Sequence, residues 1–111
     1  MALASSARIK SKEDFQIVYK EGQKWRGKFF TAFFLKSDKI RLGAVVSSKV
    51  SGSAVERNRI RRAIQNFVQK NILDSTRTLK GDIVIVVHSV PETLKGIEND
   101  LNEWQKKFLS V

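Results

Sequence analysis

The chain reads as an α+β protein, a compact two-layer sandwich with element order α-β-β-β-α-β-α and a mixed four-stranded sheet. Three patterns point to this. Apolar residues recur at three- and four-residue steps in two stretches, Ile60, Ala63, Ile64, Phe67, Val68 and Leu94, Ile97, Leu101, Trp104, Phe108, as on helices that bury one face. Ile40, Leu42, Ala44 and Val46 alternate with Arg41 and Gly43, the period of a strand with one covered face. Ile83-Val84-Ile85-Val86-Val87 is an unbroken β-branched run, the composition of a strand buried on both faces.

The elements follow in order. Residues up to Lys10 form a short basic arm. Ser11-Lys12-Glu13-Asp14 is a capping-box-like start, after which Phe15, Val18 and Tyr19 sit at i, i+3 and i+4, and Gly22 is placed to end this first helix. Gln23 to Leu35 is aromatic and β-favouring with an interruption at Gly27, which predicts a short strand and then a longer one. Ser37-Asp38-Lys39 is turn-like, and the strand of residues 40–46 comes next. A loop from Ser47 to Gly52 leads to Ser53-x-x-Glu56, a capping-box signature that starts a helix predicted to run to about Leu73. Residues 74–81 read as a loop. Strand 83–87 follows, and Ser89 and Glu92 flank Pro91 at the start of the last helix. A strand, a helix and a buried strand in succession make a crossover, so those two strands are expected to be parallel.

Charge narrows the function. The 111 residues, enough for one domain with a real core, carry 21 Lys and Arg against 11 Asp and Glu, a formal net charge of +10. The excess is segregated: residues 1–70 hold a net +11 and residues 71–111 a net −1. Uniform solubilisation would not separate charge in this way, whereas a face that binds a polyanion would. The aromatic residues are also early, with Phe15, Tyr19, Trp25, Phe29, Phe30, Phe33 and Phe34 all in the first 34 positions.

Other classes find little support. The chain has no cysteine, which removes disulfides and thiolate metal sites. No stretch has the length of a membrane span and the first residues lack a signal-peptide pattern, so a cytoplasmic protein with no membrane partner is expected. The single histidine, His88, has no Ser or Cys nucleophile motif beside it and is read as a capped or hydrogen-bonded structural residue. No phosphate-cradling glycine loop and no carboxylate or His cluster for a metal is present. No catalytic residue and no protein-held metal are therefore assigned.

Arg57-Asn58-Arg59-Ile60-Arg61-Arg62 puts four arginines and an asparagine into six residues. Helical spacing sets Asn58, Arg62, Gln65 and Gln69 opposite the apolar arc, with Arg57 and Arg61 on one flank. Such a helix packs on one side and offers guanidinium forks, which suit bidentate phosphate recognition.

This helix resembles that of the protein subunit of bacterial ribonuclease P, whose hallmark is an Arg-Asn-Arg motif preceded by alanine, here Ala54 to Arg62. The resemblance covers nearly the whole chain. Arg8-Ile9-Lys10 with Glu13-Asp14-Phe15 and Val18 to Gly22 looks like the family's arm and first helix. Phe29 to Phe33, Arg41 to Ser47 and Gly81-Asp82 with the strand after it look like its strands. The resemblance implies a left-handed crossover bearing the arginine helix, against the general right-handed rule. It also implies an accessory role: the RNA subunit is the ribozyme that removes the 5′ leader from precursor tRNA, with Mg2+ held mainly by that RNA. Matching positions give Arg57, Asn58, Arg59, Arg61, Arg62, Lys49, Arg8 and Lys10 as contacts to the catalytic RNA. Phe15, Tyr19 and Phe33, with Lys12, match a cleft for the single-stranded leader, a role suited to rings because stacking tolerates any base. The partners expected are the catalytic RNA and the precursor tRNA leader, with no obligatory protein partner and the whole of residues 1–111 as one RNA-binding domain.

The sequence departs from the family pattern at Gln65 and Ser48, where basic residues are usual, at Ser53, where asparagine is common, and in a longer loop at Val50-Ser51-Gly52-Ser53. The alternative is a structural RNA-binding protein of ribosomal type, which shares the size and charge. A DNA-binding regulator fits less well, because the segment upstream of the arginine helix reads as strand. A protein-only nuclease lacks its carboxylates.

Overall fold

Parallel pairing of two strands that are adjacent in the sheet but separated by a helix in the chain organises this protein. The computed structural model describes residues 8–9, 11–38, 40–70, 81–90 and 93–108. It contains α1 (Lys12–Glu21), β1 (Gln23–Arg26), β2 (Phe30–Lys36), β3 (Arg41–Val46), α2 (Ala54–Val68), β4 (Gly81–Val87) and α3 (Leu94–Phe108), in the predicted order. The strands lie in the order β1-β2-β4-β3. β1 and β2 pair antiparallel, as do β2 and β4, while β3 and β4 run parallel from Arg41↔Asp82 to Val46↔Val87, as the crossover argument requires.

β4 is the inner strand on which the sheet is built. Ile83, Val84 and Ile85 are wholly buried, with residues facing both ways. On one face Ile83, Ile85 and Val87 join Phe30, Ala32, Leu42 and Val46 beneath Ile60, Ile64 and Val68 of α2 and Ile97, Leu101 and Trp104 of α3. The helical stripes are therefore core, although Ala63 and Phe67 of α2 are only half-buried at its edge. The side chains of Leu94 and Phe108, the extension of α2 to Leu73, the loop 74–80, Lys39, and Pro91 with Glu92 lie outside the described residues.

The other face departs from a two-layer sandwich. α1 lies there, with Val18 and Ile9 buried against Val84 and with Phe15, Phe33, Leu35, Val45 and Val86 around them. β3 is consequently covered on both sides, not on one. Gly43 makes this possible: a Cβ there would occupy the space of the Phe15 ring, so the missing side chain lets α1 lay an aromatic ring on the sheet. Ile9 also donates its N–H to the Leu42 carbonyl at 3.0 Å, and Arg8 bridges Leu42 in parallel. The end of the arm is thus seated on the open edge of β3.

Helix boundaries follow local hydrogen bonding. Ser11 caps α1 through its hydroxyl, which accepts from Glu13 N–H at 3.2 Å. Gly22 ends it by donating to the Val18 carbonyl at 2.8 Å, with φ −75°. No left-handed conformation is involved; the requirement is closeness, since a Cβ would come 2.5 Å from that carbonyl oxygen.

A polar clamp fixes α1 to the sheet. Arg41 on β3 donates from Nε to Asp82 Oδ1 at 2.9 Å and from Nη2 to Oδ2 at 2.7 Å, a bidentate pair with its register neighbour on β4. Its Nη1 reaches Asp14 Oδ2 in the first turn of α1 at 3.1 Å. The hydrogen bonds it donates to Asp82 hold the guanidinium above its ordinary pKa, against the opposing effect of burial. Asp82 is 5% exposed, so losing its partner would strand a buried charge. Asp82→Ala is expected to cost about 2–3 kcal/mol, below the full buried-pair range because Arg41 keeps some water contact. Asp14→Ala, on the exposed side, is expected to cost under about 1 kcal/mol. Urea or thermal denaturation of the two variants checks the ranking.

Candidate nucleic-acid interface

Two basic surfaces meet at the carboxyl end of β3. Val45 faces the α1 side of the sheet, while the Val46 carbonyl accepts a hydrogen bond from Arg61 Nη2 of α2 at 3.3 Å. The loop 47–53 joins them, turned by Val50 and Ser51 N–H donating to the Ser47 carbonyl.

The first surface is an aromatic groove between α1 and the sheet. Tyr19, 39% exposed, stands at its centre. Its ring meets Phe33 edge-on at 5.0 Å and 70°, and Phe15 at 6.3 Å in a tilted arrangement. On one side of Tyr19 is a depression of about 480 Å3 bordered by Lys12, Phe15, Gln16 and Val45. On the other is one of about 390 Å3 bordered by Lys24, Arg26, Thr31, Phe33, Val86 and His88. The four residues predicted for the cleft, Lys12, Phe15, Tyr19 and Phe33, are therefore together. Phe15 serves core and groove at once. Burial pushes the Tyr19 phenol above its ordinary pKa.

Lys24, Arg26 and His88 were not among the sequence-predicted site residues. The alternation of β1 could have found the first two, since Lys24 and Arg26 share a face. His88 is exposed and borders the groove, and its backbone N–H donates to the Phe29 carbonyl at 3.0 Å. β4 delivers it there because it ends one residue earlier, beside Phe30 of β2.

The second surface is α2. Ser53 caps the helix, its hydroxyl accepting from Glu56 N–H at 3.2 Å. The return arm of the capping box runs through Ser51: Ser53 N–H donates to Ser51 Oγ at 3.3 Å, and that hydroxyl donates to Glu56 Oε1 at 2.6 Å. The arginines then divide in two. Arg57 Nη1 donates to the Ser51 carbonyl at 2.7 Å, and Arg61 Nη1 to Asn58 Oδ1 at 2.9 Å. Both are held in place by the chain. Arg59 and Arg62 are exposed and, among the described residues, bond to no other side chain or carbonyl. They line an open concavity of about 770 Å3 between α2 and α3. Lys49 is exposed on the loop before α2, and Arg8 on the edge of β3; Lys10 lies outside the described residues.

A model of the family described as Ribonuclease P matches residues 3–109. The chain belongs to the ribonuclease P protein family. It is 36% identical over 103 residues to the ribonuclease P protein component of Clostridioides difficile strain 630, covering 89% of each chain. To that of Streptococcus pneumoniae it is 34% identical over 107 residues, covering 94% of this chain and 80% of the other. The ribonuclease P protein of Staphylococcus aureus superposes with a TM-score of 0.79 at 32% identity, over 91% of this chain and 94% of that one. That of Thermotoga maritima superposes at 0.71 and 25% identity, over 91% and 96%. The α+β family fold, with its mixed four-stranded sheet and three helices, is thus the fold of this chain.

Within the described residues of this family member, no group of three or more His, Asp or Glu side chains is disposed to hold a metal. The two surfaces offer mainly guanidinium, ammonium and rings, with Glu98 the one carboxylate among the residues that line them, a set poorly suited to Mg2+, which takes oxygen ligands. No described helix is long and apolar enough to cross a membrane.

The division among the arginines has a measurable consequence. Arg57→Ala is expected to lower stability by about 1 kcal/mol through its lost hydrogen bond. Arg59→Ala and Arg62→Ala are expected to stay within about 0.5 kcal/mol of the parent. Thermal melts of the three variants at one salt concentration check this.

Proposed function

We propose that this chain is the protein component of a ribonuclease P ribonucleoprotein, assisting a catalytic RNA in removing the 5′ leader of precursor tRNA. The observation that carries the reading is the pairing, on one rigid fold, of a basic helix with free guanidinium groups and a separate aromatic groove edged with cations. A phosphate-binding helix alone would suit many RNA-binding proteins. An adjoining groove with ring faces and basic rims suits a single strand of variable sequence.

In this reading Arg59 and Arg62, supported by Asn58, Arg57 and Arg61, hold backbone phosphates of the catalytic RNA, with Lys49, Arg8 and Lys10 adding charge around them. Free guanidinium forks bind phosphate without first breaking an internal bond. The leader lies in the groove, its bases against Phe15, Tyr19 and Phe33. Lys12 holds phosphate at one end, and Lys24 and Arg26 do so at the other, beside His88. Stacking contributes about 1–3 kcal/mol per base with little regard to sequence, which fits a leader that differs between transcripts. The protein supplies binding and positive charge. The bond is cleaved by the RNA, and Mg2+ rests mainly with RNA phosphates, since the residues here do not provide its ligands. No protein residue is assigned to catalysis, and the protein acts as an accessory subunit of the endoribonuclease in the cytoplasm.

Reconstitution tests this. Cleavage of a precursor tRNA at low magnesium is expected to need both a bacterial ribonuclease P RNA and this chain. If the chain has no effect where a known subunit rescues the RNA, a structural RNA-binding role replaces the proposal. If the chain cleaves alone, the division of labour is wrong.

Two variants separate the surfaces. Tyr19→Ala is expected to weaken leader-bearing substrate about tenfold while leaving mature tRNA unchanged, as measured by binding to the holoenzyme. Arg59→Ala is expected to weaken RNA binding and flatten its dependence on salt by roughly one phosphate contact, as measured by titrations over a range of salt.

A further inference from the structure

We propose that the concavity between α2 and α3 takes up one unstacked guanine nucleotide of the bound RNA, its phosphate on the α2 side and its base edge at Glu98 and Asn102. The inference rests on reading α2 as an RNA-contacting helix, and it adds a base-reading site on α3.

Three features of the concavity point to a nucleotide and not to phosphate alone. The first is its size: at about 770 Å3 it lies in the range of small-molecule clefts. The second is its apolar wall. Val55 is 70% exposed, an unusual place for a branched apolar side chain on a basic helix. Ala63 and Phe67, further along α2, line the same concavity. Phosphate has no use for apolar side chains, whereas the flat face of a base or a ribose does.

The third feature is a gradient of charge. The α2 side carries Arg59, Arg62 and Lys70, and the α3 side carries Glu98 and Asn102. Glu98 is exposed and makes no ion pair or hydrogen bond among the described residues. The opposed charges face each other across open space and do not close on one another. A surface serving only a polyanion would be weakened by that carboxylate. A nucleotide fits the gradient, with anionic phosphate at the guanidinium groups and base N–H donors at the carboxylate. Guanine offers two adjacent donors on its Watson–Crick edge, N1–H and N2–H, which a carboxylate accepts together. Unpaired bases splayed out of loops and bulges are the ones proteins read on this edge.

The test turns on the sign of an effect. Affinity for a bacterial ribonuclease P RNA would be measured with the full chain, Glu98→Gln and Glu98→Ala, and melts would establish that both variants are folded. If Glu98 is merely an acid on an RNA-binding face, removing its charge strengthens binding. The proposal expects both variants to weaken binding, by about tenfold for the alanine, with an unchanged salt slope. It also expects 5′-GMP to compete at lower concentration than 5′-UMP, a preference lost in Glu98→Gln. Equal or tighter binding by the variants, or equal competition by the two nucleotides, overturns the site while leaving the function of α2 intact. Failure of the parent chain to bind the RNA overturns the reading of α2 itself.

Discussion

The parallel pairing of β3 with β4 is the constraint from which the rest of the architecture follows. Parallel neighbours cannot be joined by a tight turn, so the chain must leave the sheet and return over one of its faces. The returning segment is α2, and the sheet face it crosses is lined by Leu42, Val46, Ile83 and Ile85. Burying Ile60, Ile64 and Val68 against that face fixes the rotation of the helix. Once that rotation is fixed, Arg59 and Arg62 point away from the core. The basic surface is therefore a product of the hydrophobic one. A helix with the same arginines but no crossover would have no fixed direction in which to present them.

The opposite face is organised by different means. α1 is short and contributes one wholly buried side chain, Val18. Its place is set by the Arg41 clamp at one end and by the Phe15 ring over Gly43. This leaves Tyr19 about one turn further along, supported by Phe33 from β2 but open to solvent. A groove whose rings are held by neighbours loses little side-chain freedom when a base stacks on them. Rigidity beneath and openness above are what a binding platform needs.

The two faces communicate through β3. Its residues alternate between groove and core, and its last carbonyl holds Arg61. The strand thus sets the spacing between the aromatic groove and the arginine helix, and the loop after it is tied to the start of α2 by the Ser51–Glu56 relay.

Much of this was legible in the sequence, and for definite reasons. Element order, the inner strand and the amphipathic helices follow from periodicity, which is a local property of the chain. The arginine motif and the segregated charge marked the basic half because composition survives without coordinates. The aromatic cleft residues were legible from their resemblance to a known pattern. Tertiary structure alone decided that α1 lies on the face opposite α2 and α3, since the first helix has no pattern that names a face. It alone decided that His88, Lys24 and Arg26 border the groove, because strands distant in sequence bring them there. It alone separated Arg57 and Arg61, held by the Ser51 and Val46 carbonyls, from Arg59 and Arg62, which among the described residues have no such partner. Sequence determines which side chains share a helix or strand face. Which of them is occupied internally and which remains available depends on partners that only folding supplies.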